Sequence, residues 1–393
     1  MIVLSLFDGM SCGQIALNRS GFKIEKYFAS EIDKHAIKVT QSNYPNTIQL
    51  GSVTDIVCKN LPKIDLLIGG SPCQSFSFAG KRKGMSTSCE IEILTLDHYL
   101  KLKSENYQFD GQSYLFWEYM RILKEVKPTY FLLENVEMGE KWEKVLSKAI
   151  GVNGIHINSA LVSAQNRKRI YWTNIGMKPA GLFGFPESTI KQPEDKNILL
   201  KDILEKSVDE KYYLSEKMIR QFIDKTAKMK ELGNGFSFKP SEGNTKGRTL
   251  TNPARNRIDD NYIVHNTMPR SSKTNKGGTG PLSRNDGKTY CLDTGNTNVL
   301  ELKAIMLGRS ESWGNPEKDD GKSYTLCKEN PNGIKQGSLI RKLTPIECER
   351  LQTVPDNYTN FVSDSQRYKM LGNGWTIDII SHIFKYLKND TNQ

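Results

Sequence analysis

The 393-residue chain has little of what would fix its class at once. Its seven cysteines (Cys12, Cys58, Cys73, Cys89, Cys291, Cys327 and Cys348) are scattered and form no Cys-x-x-Cys pair. That spacing argues against a zinc site and against a disulfide framework. Only five histidines occur, widely spaced, so no metal cluster is expected. No apolar run approaches the roughly 20 residues of a membrane helix. The opening stretch Met1–Phe7 is too short for a signal peptide and lacks a basic leader. It reads as a first core strand, and a cytoplasmic location without membrane contact follows as the expectation. The Gly-x-Gly-x-x-Gly fingerprint of a nicotinamide dinucleotide site is also missing.

What is present is a composition of 37% hydrophobic and 25% charged residues and a net charge of +11. Between Lys211 and Lys288 there are sixteen Lys/Arg against seven Asp/Glu. A basic surplus concentrated in one region points to a polyanionic partner. Residues 1–177 alternate strand-like and helix-like runs. Strands are expected at Ile2–Leu6, Lys26–Ser30, Ile64–Ile68 and Tyr130–Leu133, with a terminal pair at Ile155–Ser159 and Ile170–Asn174. Helices are expected at Gln14–Arg19, Asp33–Ser42, Tyr114–Glu125 and Lys141–Ala149. This alternation predicts an α/β fold, a doubly wound parallel sheet with helices on both faces. Residues 79–112 interrupt it as a polar insertion that begins with a basic loop at Lys81–Lys83. Residues 178–338 are richer in Asn, Gly, Lys and Ser and carry three similar stretches, Gly247–Thr251, Asp286–Leu292 and Asp320–Leu326. They predict a second, smaller, loop-rich β-containing domain. Residues 339–393 return to helical order through a capping box at Thr344-Pro345-Ile346-Glu347 and complete the first domain.

Chemistry gathers where strands end. Ile64–Ile68 runs into Gly69-Gly70-Ser71-Pro72-Cys73. Open α/β folds place their sites at such strand ends. Pro72 fixes its own φ, so the thiol of Cys73 is aimed rather than floppy. A buried structural thiol is the plain alternative, and the Gly/Pro frame shifts the odds toward a nucleophile. Glu134 closes another apolar strand and should open onto the same edge, either as a capping carboxylate or as a general acid. Gln165, Arg167 and Arg169 alternate along an extended segment, which predicts three polar side chains reaching one cleft. On the other side of the sheet, Phe7-Asp8-Gly9 to Gly13 forms a glycine turn into a helix, where a ligand can approach the backbone. Glu31 follows the second strand at the place where a ribose hydroxyl is held, and Asp55-Ile56 ends the next unit. In that order, turn, Glu and Asp read as a nucleoside cofactor site.

These residues resemble, in order, the motifs of the DNA cytosine-5 methyltransferases of bacteria and phages. The resemblance covers residues 1–177 and 339–393. It is carried by Phe7-Asp8-Gly9 with Gly13, Glu31, Asp55, Ser71-Pro72-Cys73-Gln74, Glu134-Asn135-Val136 and Gln165-x-Arg167-x-Arg169, and then by Arg341 to Gln352 and Gly372-Asn373-Gly374. It implies a Rossmann-like methyltransferase fold with a target-recognition domain at 178–338. It implies S-adenosylmethionine (SAM) as cofactor, near Phe7, Asp8, Gly9 and Gly13. Glu31 would hold the ribose, Ile32 would stack on the adenine, and Asp55 with Ile56 would receive the adenine edge. Asn373 and Trp375, in the last glycine turn, would border the same pocket. Cys73 would attack C6 of a flipped cytosine, Glu134 would bind N3 and the exocyclic amine, and Arg169 would contact the carbonyl. Arg167 would meet the DNA backbone or support the loop, while Gln165 and Pro72 would complete the catalytic surroundings. Two departures from the common pattern, Asp8 with Ser11-Cys12 and Gly374-Trp375, both touch the cofactor pocket. The implied partner is double-stranded DNA, bound by a monomer, and a restriction endonuclease cutting the same site is a partner the resemblance allows for. Two other readings stay open: a tRNA cytosine-5 methyltransferase, and an inactive DNA-binding relative.

Overall fold

The computed structural model describes residues 1–72, 85–178, 186–233, 237–241, 243, 245–250, 261–268, 282–284 and 339–390. By packing, the chain divides into two units. The first holds 1–198, 249–254 and 348–393, and the second holds 199–248 and 255–347.

The first unit is built on a seven-stranded sheet. Strands β1 (Ile2–Leu6), β2 (Lys26–Ser30), β3 (Ile48–Gln49), β4 (Leu66–Gly70) and β5 (Tyr130–Val136) run parallel. Strand β7 (Lys168–Thr173) lies antiparallel between β5 and β6 (Ile155–Asn158), giving the order β3-β2-β1-β4-β5-β7-β6. A short ribbon of β8 (Met177–Lys178) and β9 (Glu187–Ser188) follows. Consecutive Leu66, Leu67 and Ile68 are all fully buried, so both faces of the central strands are covered, as in a doubly wound sheet. The chain moves from β1 outward to β3, then crosses back to β4 on the other side of β1. Leu6 and Gly69 stand at the same register, so these two strands end together, and the crevice beyond them is the topological switch point.

Helices α1 (Cys12–Arg19), α2 (Lys34–Asn43), α4 (Phe116–Val126) and α5 (Glu140–Ile150) connect the strands. Asp33 caps α2 by accepting from the His35 N–H at 2.9 Å. Two strands outrun their sequence expectation. Strand β4 continues through Gly70, and β5 continues through Val136 instead of stopping at Leu133. The polar Glu134 and Asn135 look like a strand end in sequence, yet both find partners there and stay in the ladder.

The segment from Met85 to Gln112 is less polar in space than in sequence. Helix α3 (Leu96–Ser104) buries Leu96, Tyr99 and Leu102, and Met85 and Ile93 are fully buried beside it. Glu118 of α4 is completely buried and takes hydrogen bonds from Tyr99 Oη and Lys103 Nζ, each at 2.6 Å, and from Arg121 Nε at 2.7 Å. Three donors on one carboxylate offset its desolvation and bind the segment to the core. The expectation of a polar insertion is therefore corrected for residues 85–112, while Lys81–Lys83 lie outside the described residues.

Near the carboxyl end come α8 (Pro345–Leu351), α9 (Asp364–Asn373) and α10 (Ile377–Asp390), numbered after two helices that come earlier in the chain. Ile379, Ile380, Ile383 and Phe384 of α10 are fully buried. Each such side chain contributes about 1.5–3 kcal/mol on leaving water. Ser381 Oγ donates to the Ala16 carbonyl at 3.2 Å, and Arg19 pairs with Asp378, so α10 lies along α1.

The second unit contains α6 (Leu200–Ile203), α7 (Glu216–Glu231) and a three-stranded antiparallel sheet of order β11-β10-β12. These strands are β10 (Tyr262–Met268), β11 (Leu282–Arg284) and β12 (Leu339–Lys342). Phe222, Phe238 and Tyr262 form its aromatic core, with centroids 5.1–5.6 Å apart. The capping box is formed: the Thr344 N–H donates to Glu347 at 2.9 Å, and the Glu347 N–H donates to Thr344 Oγ1 at 3.2 Å. Arg341 grips the same carboxylate with two bonds of 2.7 Å in a fully buried pair. Of the three repeated stretches, 286–292 and 320–326 lie outside the described residues.

Candidate active site

The end of β1 turns through an unusual backbone. Phe7, Gly9 and Ser11 have φ of 56°, 58° and 65°, in the left-handed region. Only Gly9 adopts it without strain, and a Cβ added there would meet nothing within 4 Å, so the space above the turn is open. Gly13 has the opposite constraint: a Cβ would strike Ile68 and Tyr27, because α1 lies close on β4.

Glu31, at the end of β2, faces this turn. Its Oε2 accepts from the Gly9 N–H and its Oε1 from the N–H groups of Ile32 and Asp33, all at 2.8 Å. The carboxylate is thus fixed by three backbone donors. Next to it, Ile32 leaves 72% of its surface in solvent, a large apolar side chain without cover among the described residues. Asp55 is exposed at the end of a 3-10 turn, with Thr54 Oγ1 donating to it at 3.0 Å. Ile56 departs from its expected place, because its side chain is buried in the hydrophobic core and its carbonyl is taken by Arg121.

Asp8 sits beneath the turn. Burial pushes its carboxyl up to about 6, against the pull of the Ser5, Tyr27 and Ser11 hydroxyls. Oδ1 accepts from Tyr27 Oη at 2.8 Å, and Oδ2 is buried with no hydrogen-bond partner among the described residues. Burial pushes the Cys12 thiol up to about 12, which disqualifies it as a nucleophile.

Across the switch point, β4 delivers Gly70, Ser71 and Pro72. Asn135 Nδ2 donates to Ser71 Oγ at 3.0 Å and to its carbonyl at 3.3 Å, anchoring the start of the turn that leads to Cys73. Cys73 itself lies outside the described residues. Glu134 stands opposite Gly70 in the β4–β5 register and is buried. Its Oε1 lies 2.9 Å from Arg169 Nε, and its Oε2 accepts from Trp375 Nε1 at 3.2 Å. The indole assigned from sequence to the cofactor turn therefore reaches the carboxylate. A Cβ on Gly70 would come within 2.9 Å of Trp375 Nε1 and 3.2 Å of Glu134 Oε2, so this approach requires glycine.

The three alternating side chains do not share a cleft. Arg169, on β7, meets Glu134. Arg167 is buried and donates instead to the carbonyls of Gly372 at 3.2 Å, Gly374 at 2.9 Å and Leu250 at 3.1 Å. Gln165 is fully buried, its Oε1 accepting from the Leu250 N–H at 3.5 Å. The period-two spacing failed here because backbone groups more than eighty residues away, carbonyls for Arg167 and an N–H for Gln165, claimed two of the three. Arg167 thus supports the last glycine turn, whose Asn373 is exposed at the end of α9. Sequence reasoning takes Gly70 only as backbone freedom within the Gly/Pro frame and gives Gln352 no role of its own. The latter donates to the carbonyls of Leu371 at 2.7 Å and Gly374 at 3.3 Å.

A family model described as C-5 cytosine-specific DNA methylase matches residues 1–97 and 102–389. The chain belongs to this family. Among curated relatives of this methylase, the orphan methyltransferase M.SPRI of Bacillus phage SPR is 29% identical over 98% of this chain and 97% of its own. The type II methyltransferase M.BanI of Aneurinibacillus aneurinilyticus is 27% identical over 99% and 96%. In fold the methylase is similar to a variant of Spodoptera frugiperda DNMT2, with a TM-score of 0.58 at 19% identity over 98% of this chain and 99% of the other. It is likewise similar to the S. pombe Dnmt2 methyltransferase, with a TM-score of 0.59 at 14% identity over 100% and 99%. Among its described residues no helix is long and apolar enough to cross a membrane, and no group of three or more His, Cys, Asp or Glu could hold a metal ion.

Proposed function

We propose that this methylase transfers a methyl group from SAM to C5 of a cytosine flipped out of a short duplex DNA sequence, through a covalent bond between Cys73 and C6. The observation that carries the reading is Glu134, buried at the end of β5 between Arg169 and Trp375 and level with the strand that leads to Pro72 and Cys73. A polar trio of this kind suits a heteroaromatic ring that offers an acceptor, an amine and a carbonyl together.

The residues around Gly9 fit SAM. Open space lies over the turn, a fixed carboxylate stands beside it at Glu31, an uncovered apolar side chain at Ile32, and an orphaned carboxylate oxygen at Asp8, which suits a cationic ligand. Glu31 would hold the ribose hydroxyls, Ile32 would cover the adenine, and Asp55 would receive its amine. When bound, SAM supplies an electrophilic methyl group. Exchange of Glu31 for alanine is expected to weaken SAM binding ~10- to 100-fold by calorimetry, since a bidentate acceptor is lost from a half-buried polar site. An unchanged affinity would remove Glu31 from the cofactor site.

C5 of cytosine is too weak a nucleophile to take a methyl group unaided. A Cys73 thiolate adding to C6 while Glu134 gives a proton to N3 turns the ring into an enamine with electron density at C5. After methylation, loss of the C5 proton expels the thiolate and restores aromaticity. Arg169 would leave Glu134 for the base carbonyl. The target must first leave the helix stack, because none of these groups can reach inside a duplex.

Readout of the surrounding sequence is assigned to the second unit. Its chain region carries the basic surplus, and a cleft of about 450 Å³ within it is lined by Lys239, Ser241, Lys246, Arg248 and Asn261, cations with hydroxyl and amide groups suited to phosphate and base edges. Replacing residues 199–347 by the corresponding segment of another family member is expected to change the sequence methylated and leave the chemistry intact. Bisulfite sequencing of the products checks this, and an unchanged site preference would refute the assignment.

The deciding experiment for the reading as a whole is incubation of mixed-sequence duplex DNA with SAM, read base by base by bisulfite sequencing, with tRNA as a parallel substrate. Protected cytosines sharing one short context are expected. Transfer to tRNA alone would replace DNA by RNA as the substrate, and transfer to neither would overturn the enzymatic reading.

A further inference from the structure

We infer that Trp375 is a positioning residue that fixes which oxygen of Glu134 carries the proton given to the target base. The inference rests on the role proposed above for Glu134. An indole N–H only donates. The oxygen it faces, Oε2, must therefore accept, and the hydroxyl oxygen of a protonated carboxyl is the poorer acceptor of the two. With Trp375 on Oε2 the proton is directed to Oε1. In this structure Oε1 is ion-paired with Arg169, Nε at 2.9 Å, so the oxygen left for the proton has a cation beside it, which disfavours protonation there. Departure of Arg169 removes that cation from Oε1. A cytosine carbonyl that draws Arg169 away thus opens the oxygen that serves N3. Oε2 keeps Trp375 on one lone pair and has the other free for the exocyclic amine.

The indole is held for this task from several directions. Arg167 and Gln352 bind the carbonyls of Gly372, Gly374 and Leu371 just before it, and Thr376 Oγ1 just after it donates to Gln352 Oε1 at 2.8 Å. Gly70 keeps the space between the indole nitrogen and the carboxylate clear. A residue that merely walled the cofactor would not need its N–H aimed at Glu134.

The test compares single-turnover methylation of a methylatable duplex by the wild type, Trp375→Phe, Glu134→Gln and the double variant, with SAM affinity measured by calorimetry for each. Trp375→Phe keeps a ring and loses the donor. It is expected to slow methyl transfer about tenfold, the effect of one hydrogen bond to a charged group, and to leave SAM affinity within about twofold. In the Glu134→Gln background it is expected to slow nothing further, because the amide has no proton to place. Retained SAM binding also shows that the variants are folded. A slowing that persists in the Glu134→Gln background, or one matched by loss of SAM affinity, would overturn the inference and leave Trp375 as a cofactor or packing residue. A slow Glu134→Gln with a normal Trp375→Phe would also overturn it while sparing the wider reading. A fast Glu134→Gln would overturn both.

Discussion

Serine at position 73 is expected to lower methyl transfer by ~1,000-fold or more, the scale of losing a covalent nucleophile, with SAM binding unchanged within about twofold. A serine hydroxyl stays protonated where a thiol yields a reactive thiolate. The surroundings explain why this cysteine is singled out. Cys12 and Cys348 are buried, and Cys12 is held protonated by that burial. Cys73, by contrast, follows Ser71 and Pro72 directly, and Ser71 is fixed by Asn135. Trapping on duplex DNA containing 5-fluorocytosine provides a check independent of turnover. Fluorine replaces the proton that must leave C5, so the wild type should remain bonded to the base and migrate as a conjugate, whereas Cys73→Ser should not. A conjugate formed by the serine variant would place the nucleophile elsewhere.

Glu134→Gln is expected to slow the chemical step ~100-fold or more, the usual contribution of a positioned general acid, with little change in DNA affinity. Glutamine keeps the size of the side chain and an acceptor for Arg169 or Trp375 but cannot pass a proton to N3. Rates measured in a single turnover, with binding followed separately, isolate that loss. A near-normal rate would remove Glu134 from the mechanism and turn its two donors into a purely structural arrangement.

Much of the catalytic unit is legible in the sequence because its strands are continuous apolar runs ended by glycine or acid. Ile2–Leu6 and Lys26–Ser30 were placed residue for residue, since burial on both faces leaves no alternative pattern. Glu31 and Glu134 were found for the same reason, as carboxylates at the ends of such runs. What stayed hidden depends on distant partners. Nothing near Arg167 announces that its guanidinium will be claimed by the carbonyls of Gly372 and Gly374. Glu134 and Asn135 masked the true length of β5 because their partners, Arg169 and Ser71, come from other strands. Helix α3 did leave a signal, with Leu96, Tyr99 and Leu102 three residues apart behind the N-cap Thr95, diluted by the charged residues between them. Gly70 was read as freedom for the backbone, and the structure gives it a different meaning, an absent side chain that lets an indole reach an acid.

The final helix lies against the first, and between them in the chain runs the whole of the second unit. During synthesis the sheet of the first unit therefore waits for its last covering layer while roughly 150 residues of the insert emerge, about 10–30 s at ribosomal rates. The same arrangement leaves the insert free to vary over evolutionary time. For the sheet of the first unit its length counts through a closure entropy that grows with the logarithm of that length, so exchanging one insert for a longer or shorter one changes that term by a fraction of a kcal/mol. With readout in the insert, as proposed, a lineage would acquire a new DNA address by recombination there and keep the sheet, the acid and the thiol it already has.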